Sequence, residues 1–460
     1  MINKKVMAVA VAGALALPGV ALAQVTISGG FRMSMSQHSI GNIASPATIA
    51  ANGATGTSVA STASGRFNAA GQASNTSETR ISDNVSQIIF GVREDLGGGL
   101  TAVGRYEWRP TIDGAGNAAL GGGLANGSSA ATNFVGVESS TMGTVRVGSI
   151  TVFSGAGGTG STFTSDRGLA FASAVGISQQ IGSGVIVGQG QLASVQQLNF
   201  AQGRHTNAIV WNSPSWSGFG LDLVWSSQNA GEDSDLAVPA VGATQTARKG
   251  QMLVIAPKYT VGGFSGQYLY MDNKTDGQSI NSGASSWAGA ATVNAATSIR
   301  SNDIKAHKAY GTYDFGNGFA ATAIWTRVTL TNSYTGLLAQ TNFSGGNKLS
   351  EKTIWQLGAR YVTGPHSFTA DYTKAGSDKI VTNSLGQTGQ TGAKSIAAGW
   401  MYELSKRTEV GLTYVKTTND INTGNGPQDT ANFALGGTGT RFNNAGESYS
   451  VFGGNITHKF

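Results

Sequence analysis

Chemistry at a protein site needs a few reactive groups at fixed spacing, and this chain offers several partial sets. Gly155, Gly157 and Gly160 fit a G-x-G-x-x-G pattern that Ser161-Thr162 extend towards a phosphate loop. Ser161 stands where such a loop needs its lysine, and no helical periodicity follows, so a flexible connection explains the glycines better. The histidines at His38, His205, His307, His366 and His458 have no metal-ligand spacing, and no Gly-x-Ser-x-Gly elbow is present for acyl chemistry. The chain has no cysteine, which removes thiolate ligands, thiol nucleophiles and disulfides. No catalytic residue, metal site or cofactor is expected; a serine hydrolase assembled from distant residues is set aside.

What remains is a pattern of charge rather than a reactive constellation. Arg32 stands between Phe31 and Met33, Arg93 follows Val92, Arg105 precedes Tyr106-Glu107, and Arg146 lies between Val145 and Val147. Each arginine alternates with apolar neighbours, so on an extended segment all four fall on the polar face while the apolar side chains fall on the other. By parity alone, each is as readily a solvated charge as part of a common wall.

Segments of this kind recur down the chain. Val25, Ile27, Phe31, Met33 and Met35 alternate with Thr26, Ser28, Arg32 and Ser34, and Ile88, Phe90 and Val92 alternate with Gln87, Gly91 and Arg93. Similar runs lie at Leu100 to Trp108, Asn133 to Glu138, Thr144 to Ser149, Thr206 to Asn212, Gly220 to Gln228, Gln251 to Tyr259 and Phe264 to Asp272. Others lie at Ala306 to Phe315, Phe319 to Thr329, Thr353 to Tyr361, His366 to Lys374, Ala393 to Tyr402, Arg407 to Lys416 and Glu447 to Phe460, sixteen segments in all.

Their connections alternate as well. Short turns such as Asp95 to Gly99, Val261-Gly262-Gly263, Gly316-Asn317-Gly318 and Gly364-Pro365 follow every second segment. Long Gly/Ser/Thr/Asn-rich stretches fill the other gaps, among them Gln37 to Thr79, Pro110 to Thr132, Asn229 to Gly250, Met271 to Lys305, Thr331 to Lys352 and Thr417 to Ser448. Soluble domains rarely carry so many long connections. The pattern predicts an all-β fold: a 16-stranded antiparallel transmembrane β-barrel with short periplasmic turns and long extracellular loops. An even count closes the sheet without leaving an edge in lipid, and about sixteen strands leave an aqueous lumen. Tyr106, Trp108, Trp211, Phe219, Trp225, Tyr259, Phe264, Tyr313, Phe315, Phe319, Trp325, Tyr361, Phe368, Tyr372, Trp400, Tyr402 and Tyr414 lie at or near segment ends, where an aromatic girdle belongs.

The amino terminus fits such a destination. Lys4 and Lys5 precede the apolar run Val6 to Leu17, Pro18 breaks it, and Ala21-Leu22-Ala23 supplies a small-x-small cleavage site. The run is shorter than the ~18 residues a spanning helix needs. Residues 1–23 are expected to be a cleaved signal peptide and 24–460 a single domain of 437 residues (460 minus 23). Removing Lys4 and Lys5 lowers the formal charge from +6 to +4. That mild excess could bias a pore towards anions and is too small to imply nucleic acid as a partner.

Several stretches resemble a known family. Phe90 to Leu100, followed by Tyr106-Glu107, looks like the second hairpin of the Gram-negative general porins of the β-proteobacterial type. Phe134-Val135-Gly136-Val137, Met142 to Gly148, Ser213 to Phe219 and the terminal His458-Lys459-Phe460 are similar to further stretches of those porins. The resemblance implies passive diffusion of small hydrophilic solutes and ions through the outer membrane, a homotrimer in contact with outer-membrane lipid and lipopolysaccharide, and a third loop that constricts each pore. It also implies that Phe460 is read by the barrel assembly machinery. The third loop would run from about Thr151 to His205 with Asp166 its one acidic residue; Arg32, Arg93, Arg105, Arg146, Glu107 and Asp166 are the constriction candidates. Gln87 and Ser149 stand where the family pattern has arginine. Two other readings are a solute-specific channel using Phe153, Phe163, Phe171 and Asp166 of the third loop, and a barrel whose surface loops are its working part. The cluster Glu232-Asp233-Ser234-Asp235 is read as a solvated loop tip, the alternative being a divalent cation bridge to lipopolysaccharide.

Overall fold

In a computed structural model, residues 24–41, 77–83, 86–110, 112, 132–151, 204–227, 251–279, 299–334, 347–377, 379, 393–419 and 448–460 are described. They form β1 (Gln24–Gly41), β2 (Ser77–Asp83), β3 (Gln87–Gly97), β4 (Leu100–Trp108), β5 (Asn133–Ser139), β6 (Gly143–Thr151), β7 (Arg204–Asn212), β8 (Phe219–Ser226) and β9 (Gln251–Val261). The second half adds β10 (Phe264–Ser279), β11 (Ile299–Asp314), β12 (Phe319–Tyr334), β13 (Asn347–Thr363), β14 (His366–Ala375), β15 (Ala393–Glu403), β16 (Thr408–Asn419) and β17 (Ser448–Lys459).

β2 and β3 both pair antiparallel with β1, every later strand pairs antiparallel with its sequence neighbours, and β17 pairs with β1, Gly30 opposite Lys459 through Gly41 opposite Ser448. The sheet is therefore closed. Seventeen segments make sixteen staves, because β2 and β3 occupy one: Gln24 to Gly30 of β1 pair with β3, and Met33 to Ser39 pair with β2. At the break, Asp83 Oδ1 accepts the backbone N–H of Ser86 at 2.7 Å, a local bond that competes with the ladder.

The structure corrects the expected boundaries at the rim of long connections. Gln37 to Thr79 was expected to be a connection outside the sheet, yet β1 runs to Gly41 and β2 begins at Ser77. Likewise β10 and β11 extend to Ser279 and from Ile299, and β12 and β13 extend to Tyr334 and from Asn347, all inside stretches read as loops. Beyond the hydrocarbon both faces of a strand are wet, so the backbone ladder continues while the apolar period that reveals it stops.

The turns follow the expected chemistry. Gly97, Gly98 and Gly99 have φ of 78°, 61° and 79°, a left-handed run that only glycine adopts without strain, and Asp95 Oδ1 accepts the Gly97 N–H at 2.9 Å.

Burial is inverted relative to a soluble protein. The outward positions carry exposed apolar side chains, such as Val25 at 64%, Val135 at 66% and Trp355 at 54% exposure, a continuous surface that water would not tolerate and lipid requires. The inward positions mix buried Val210, Val224 and Ile324 with Glu107, Asp222, Gln267, Lys308 and Asp371. The expected girdle aromatics within strands occupy outward register positions and Phe315 lies in the turn after β11, with close ring pairs such as Phe219 on Tyr259 at 4.2 Å and Tyr313 on Phe315 at 4.8 Å.

Candidate functional site

Closing the sheet turns the polar parity of each strand into one inner wall. Arg32, Arg93, Arg105, Glu107 and Arg146 all stand at inward register positions, Gly91 facing Arg105 across β3 and β4 and Gly136 facing Arg146 across β5 and β6. Asp166 and the rest of the expected third loop lie outside the described residues, as do residues 1–23, Phe153, Phe163, Phe171 and the Glu232 cluster.

Three of the candidates meet on the wall of β1, β3 and β4. Glu107, with only 3% of its side chain exposed, accepts from Arg105 Nη2 at 2.8 Å on one oxygen and from Arg109 Nε at 2.6 Å on the other. Asn133 Oδ1 accepts the backbone N–H of Glu107 at 2.8 Å and ties this cluster to β5. Across the broken stave Arg32 lies within electrostatic range of Glu107, Arg109 and Asp83. Its backbone N–H donates to Ser86 Oγ at 3.0 Å, while Asp83 Oδ2 accepts from the backbone of Ile112 at 3.1 Å. The break in the second stave thus sits beside the guanidiniums. Glu409 on β16, the carboxylate that acts most strongly on Arg32, lies 3.5 Å from Lys459 Nζ, so four positive groups (Arg32, Arg105, Arg109 and Lys459) face three carboxylates (Glu107, Asp83 and Glu409) here, leaving one net positive charge.

The other two arginines stand apart from this group. Arg93 pairs with Glu138 at 2.7 Å, both sides well exposed. Arg146 lies 5.1 Å from the centre of the Phe134 ring and donates to Asn212 Oδ1. Asn212 Nδ2 in turn donates to Asp222 Oδ1 at 2.7 Å, which also receives Lys258 Nζ at 2.7 Å, and Gln267 Nε2 reaches Asp222 Oδ2 at 3.0 Å. Five strands, β6 to β10, are linked by that one chain of polar contacts. Replacing Asp222 by alanine leaves Lys258, Asn212 and Gln267 facing one another without their acceptor. The barrel is expected to lose about 2 kcal/mol, discounted because Lys258 is 40% exposed, and reversible urea unfolding in detergent measures it.

The reading by residue type missed Arg109, Glu138 and the Asp222, Lys258 and Gln267 network. The signal was present: Arg109 has the same parity as Arg105 and Glu107 but follows the last residue assigned to that strand. Asp222 and Lys258 alternate with Leu221, Leu223, Pro257 and Tyr259. The histidines disperse: His38 is buried at an inward position with Ser36 Oγ at 2.9 Å, and His307, His366 and His458 stand at outward positions on three other strands. His205 is on β7.

Phe460 closes the seam. Its backbone exchanges hydrogen bonds with Gly29 at 3.1 and 3.2 Å, and its ring lies 5.4 Å from that of Phe31. Asn455, Thr413 and Thr457, at neighbouring inward positions on β16 and β17, carry side-chain atoms with no partner among the described residues. Such groups cost stability in a dry interior and are satisfied by water in a wet one.

The arrangement is a wall of fixed charges, closed on itself and wrapped in apolar surface. The family model described as Gram-negative porin matches residues 8–422. No curated protein sequence matches the chain. Among solved structures, the fold is similar to an anion-selective porin from Comamonas acidovorans, at 17% identity and a TM-score of 0.59 over 95% of this chain and 100% of that one. It is also similar to OmpF of Salmonella typhi in complex with daunomycin, at 12% identity and a TM-score of 0.52 over 95% of this chain and 97% of that one.

Proposed function

This chain belongs to the Gram-negative porin family and is an outer-membrane diffusion channel, and from that premise we propose that it is a weakly anion-selective homotrimer whose preference is set by the wall of Arg32, Arg105 and Arg109. The observation that carries the reading is the Glu107 clamp. One carboxylate takes both Arg105 and Arg109, and with Arg32 and Lys459 set against Asp83 and Glu409 the wall keeps a small positive excess on the path of every permeating ion. Fixed charges on a pore lining change the local concentration of ions without any binding step, so flux stays proportional to the gradient. The anion selectivity of the Comamonas porin agrees in direction.

Trimer formation is supported by the outward face of β5 and β6, where Val135, Val137, Val145 and Val147 stand without a tryptophan or tyrosine, whereas β8 to β15 carry Trp225, Trp325, Trp355 and Trp400. A lipid boundary favours amphipathic rings at its edges, and an aliphatic strip suits packing against another copy. The reading also takes residues 1–23 as a cleaved leader and Phe460 as the assembly signal.

The test is single-channel recording on protein purified from outer membranes, after its intact mass has been measured. A chain starting at Gln24, conductance steps arriving in threes, and a reversal potential on the anion side in a salt gradient are expected. Single steps argue against the trimer, and a zero or cation-side potential argues against the basic wall.

A further inference from the structure

On the inner wall of β4, β5 and β6 an aromatic ring stands between two arginines. Val135 and Val137 of β5 face outward, so Phe134 faces the lumen, where it is half-buried. Its direct cross-strand partner on β4 is Arg105, and on β6 it is Gly148. The guanidinium of Arg146, one inward position along β6 from Gly148, lies 5.1 Å from the centre of the ring. That reach depends on Gly136, the residue opposite Arg146. A Cβ there would stand 2.9 Å from Arg146 Cγ, so any larger residue would press the arginine stem away from the position that brings its head to Phe134.

The carboxylates of this wall are each matched with a cation: Glu107 with Arg105 and Arg109, Glu138 with Arg93, and Asp222 with Lys258. Arg146 is held differently. It lies within electrostatic range of Asp222 and Glu138, yet it donates to the neutral amide of Asn212 and rests its guanidinium by a ring. From this arrangement we propose that Phe134, with Arg105 and Arg146 on either side, is a weak binding site inside the pore for flat aromatic carboxylates of about the size of benzoate. A ring of that kind pairs with Phe134 offset or edge-to-face, and its carboxylate matches the planar fork of a guanidinium. Chloride offers neither group and an aliphatic carboxylate only one, so an aromatic anion is the solute that uses both parts of the site. The inference rests on the chain being a channel and deepens the reading of its anion preference. Small ions pass in proportion to their gradient, whereas solutes of this class saturate.

The chloride current through the purified channel in a planar bilayer, titrated with sodium benzoate and separately with sodium acetate, tests it. On the unaltered protein benzoate is expected to reduce the current along a saturating curve, with a half-saturating concentration roughly fivefold below that of acetate. Benzyl alcohol, which has the ring without the charge, should leave the current unchanged. Phe134→Leu should raise the half-saturating concentration of benzoate roughly fivefold and leave that of acetate where it was, while Phe134→Tyr, which keeps a ring, should behave as the original does. Heat-resistant gel mobility confirms that each variant is folded, and the comparison of benzoate with acetate on the unaltered chain needs no variant. Equal half-saturation by the two anions overturns the proposal. So does a Phe134→Leu channel that loses both alike, which would make the ring a prop for Arg146 and nothing more. A chloride current that benzoate does not touch overturns it as well, and leaves the diffusion channel and its ion preference standing.

Discussion

Replacing Arg32, Arg105 and Arg109 together by glutamine is expected to turn the channel from weakly anion-selective to cation-selective. The three side chains with Lys459, Glu107, Asp83 and Glu409 sum to one positive charge, and without them the same patch carries two negative ones. An ion passing about 8 Å from a unit charge in water feels about 0.5 kcal/mol, and screening in 0.1 M salt roughly halves that. Three charges acting with opposite sign on cation and anion then move the permeability ratio by roughly tenfold. Reversal potentials in a potassium chloride gradient measure the ratio. The shift should fade in 1 M salt, where the Debye length is only about 3 Å. Adding Glu107→Gln to the triple raises the patch by one charge and should return the potential part of the way. A triple variant that keeps its anion preference in dilute salt places the selective charges elsewhere on the wall, with Arg93 and Arg146 the next to change.

The second large effect is expected at the last residue. Deleting Phe460 removes two backbone hydrogen bonds to Gly29 and the ring packed beside Phe31, at the one place where the sheet's end meets its beginning. An unpaired edge inside a bilayer leaves polar backbone groups without partners, at several kcal/mol each. The milder variant Phe460→Ala keeps the backbone pairing and loses a half-exposed ring, about 1–2 kcal/mol. If the terminal aromatic is also read during assembly, cells carrying Phe460→Ala should hold on the order of a tenth of the normal outer-membrane protein, a deficit larger than that stability change produces in a barrel refolded in detergent. Equal deficits in the cell and in detergent would make Phe460 a seam residue only. Comparing heat-modifiable gel mobility of both preparations decides between them.

How much of this could be read from residue types depends on where a side chain sits. Within the bilayer every outward position must be apolar and every inward one is free to be polar, so Val25, Ile27, Phe31 and Arg32 announce both a strand and its two faces. Above the bilayer that constraint lapses, and Ser77 to Thr79 or Ile299 to Asp303, hydrogen-bonded into the sheet, read as loop. Arg109 escaped for the same reason: it follows Trp108 where the alternation ends and Pro110 suggests a connection, yet its guanidinium reaches back to Glu107.

Residue types alone establish the class of fold, its closure, its membrane, and which arginines share the inner face, because all of these follow from a period of two and the chemistry of lipid against water. Parity says which face a charge is on but not its neighbours around the barrel. It took the folded barrel to show that Glu107 holds two arginines while Arg93 and Arg146 find separate partners, and that the chain of contacts through Asp222 and Asn212 joins five strands. Those pairings depend on the stagger between strands distant in sequence, which hydrogen bonding across the closed sheet sets and no local pattern of residues records.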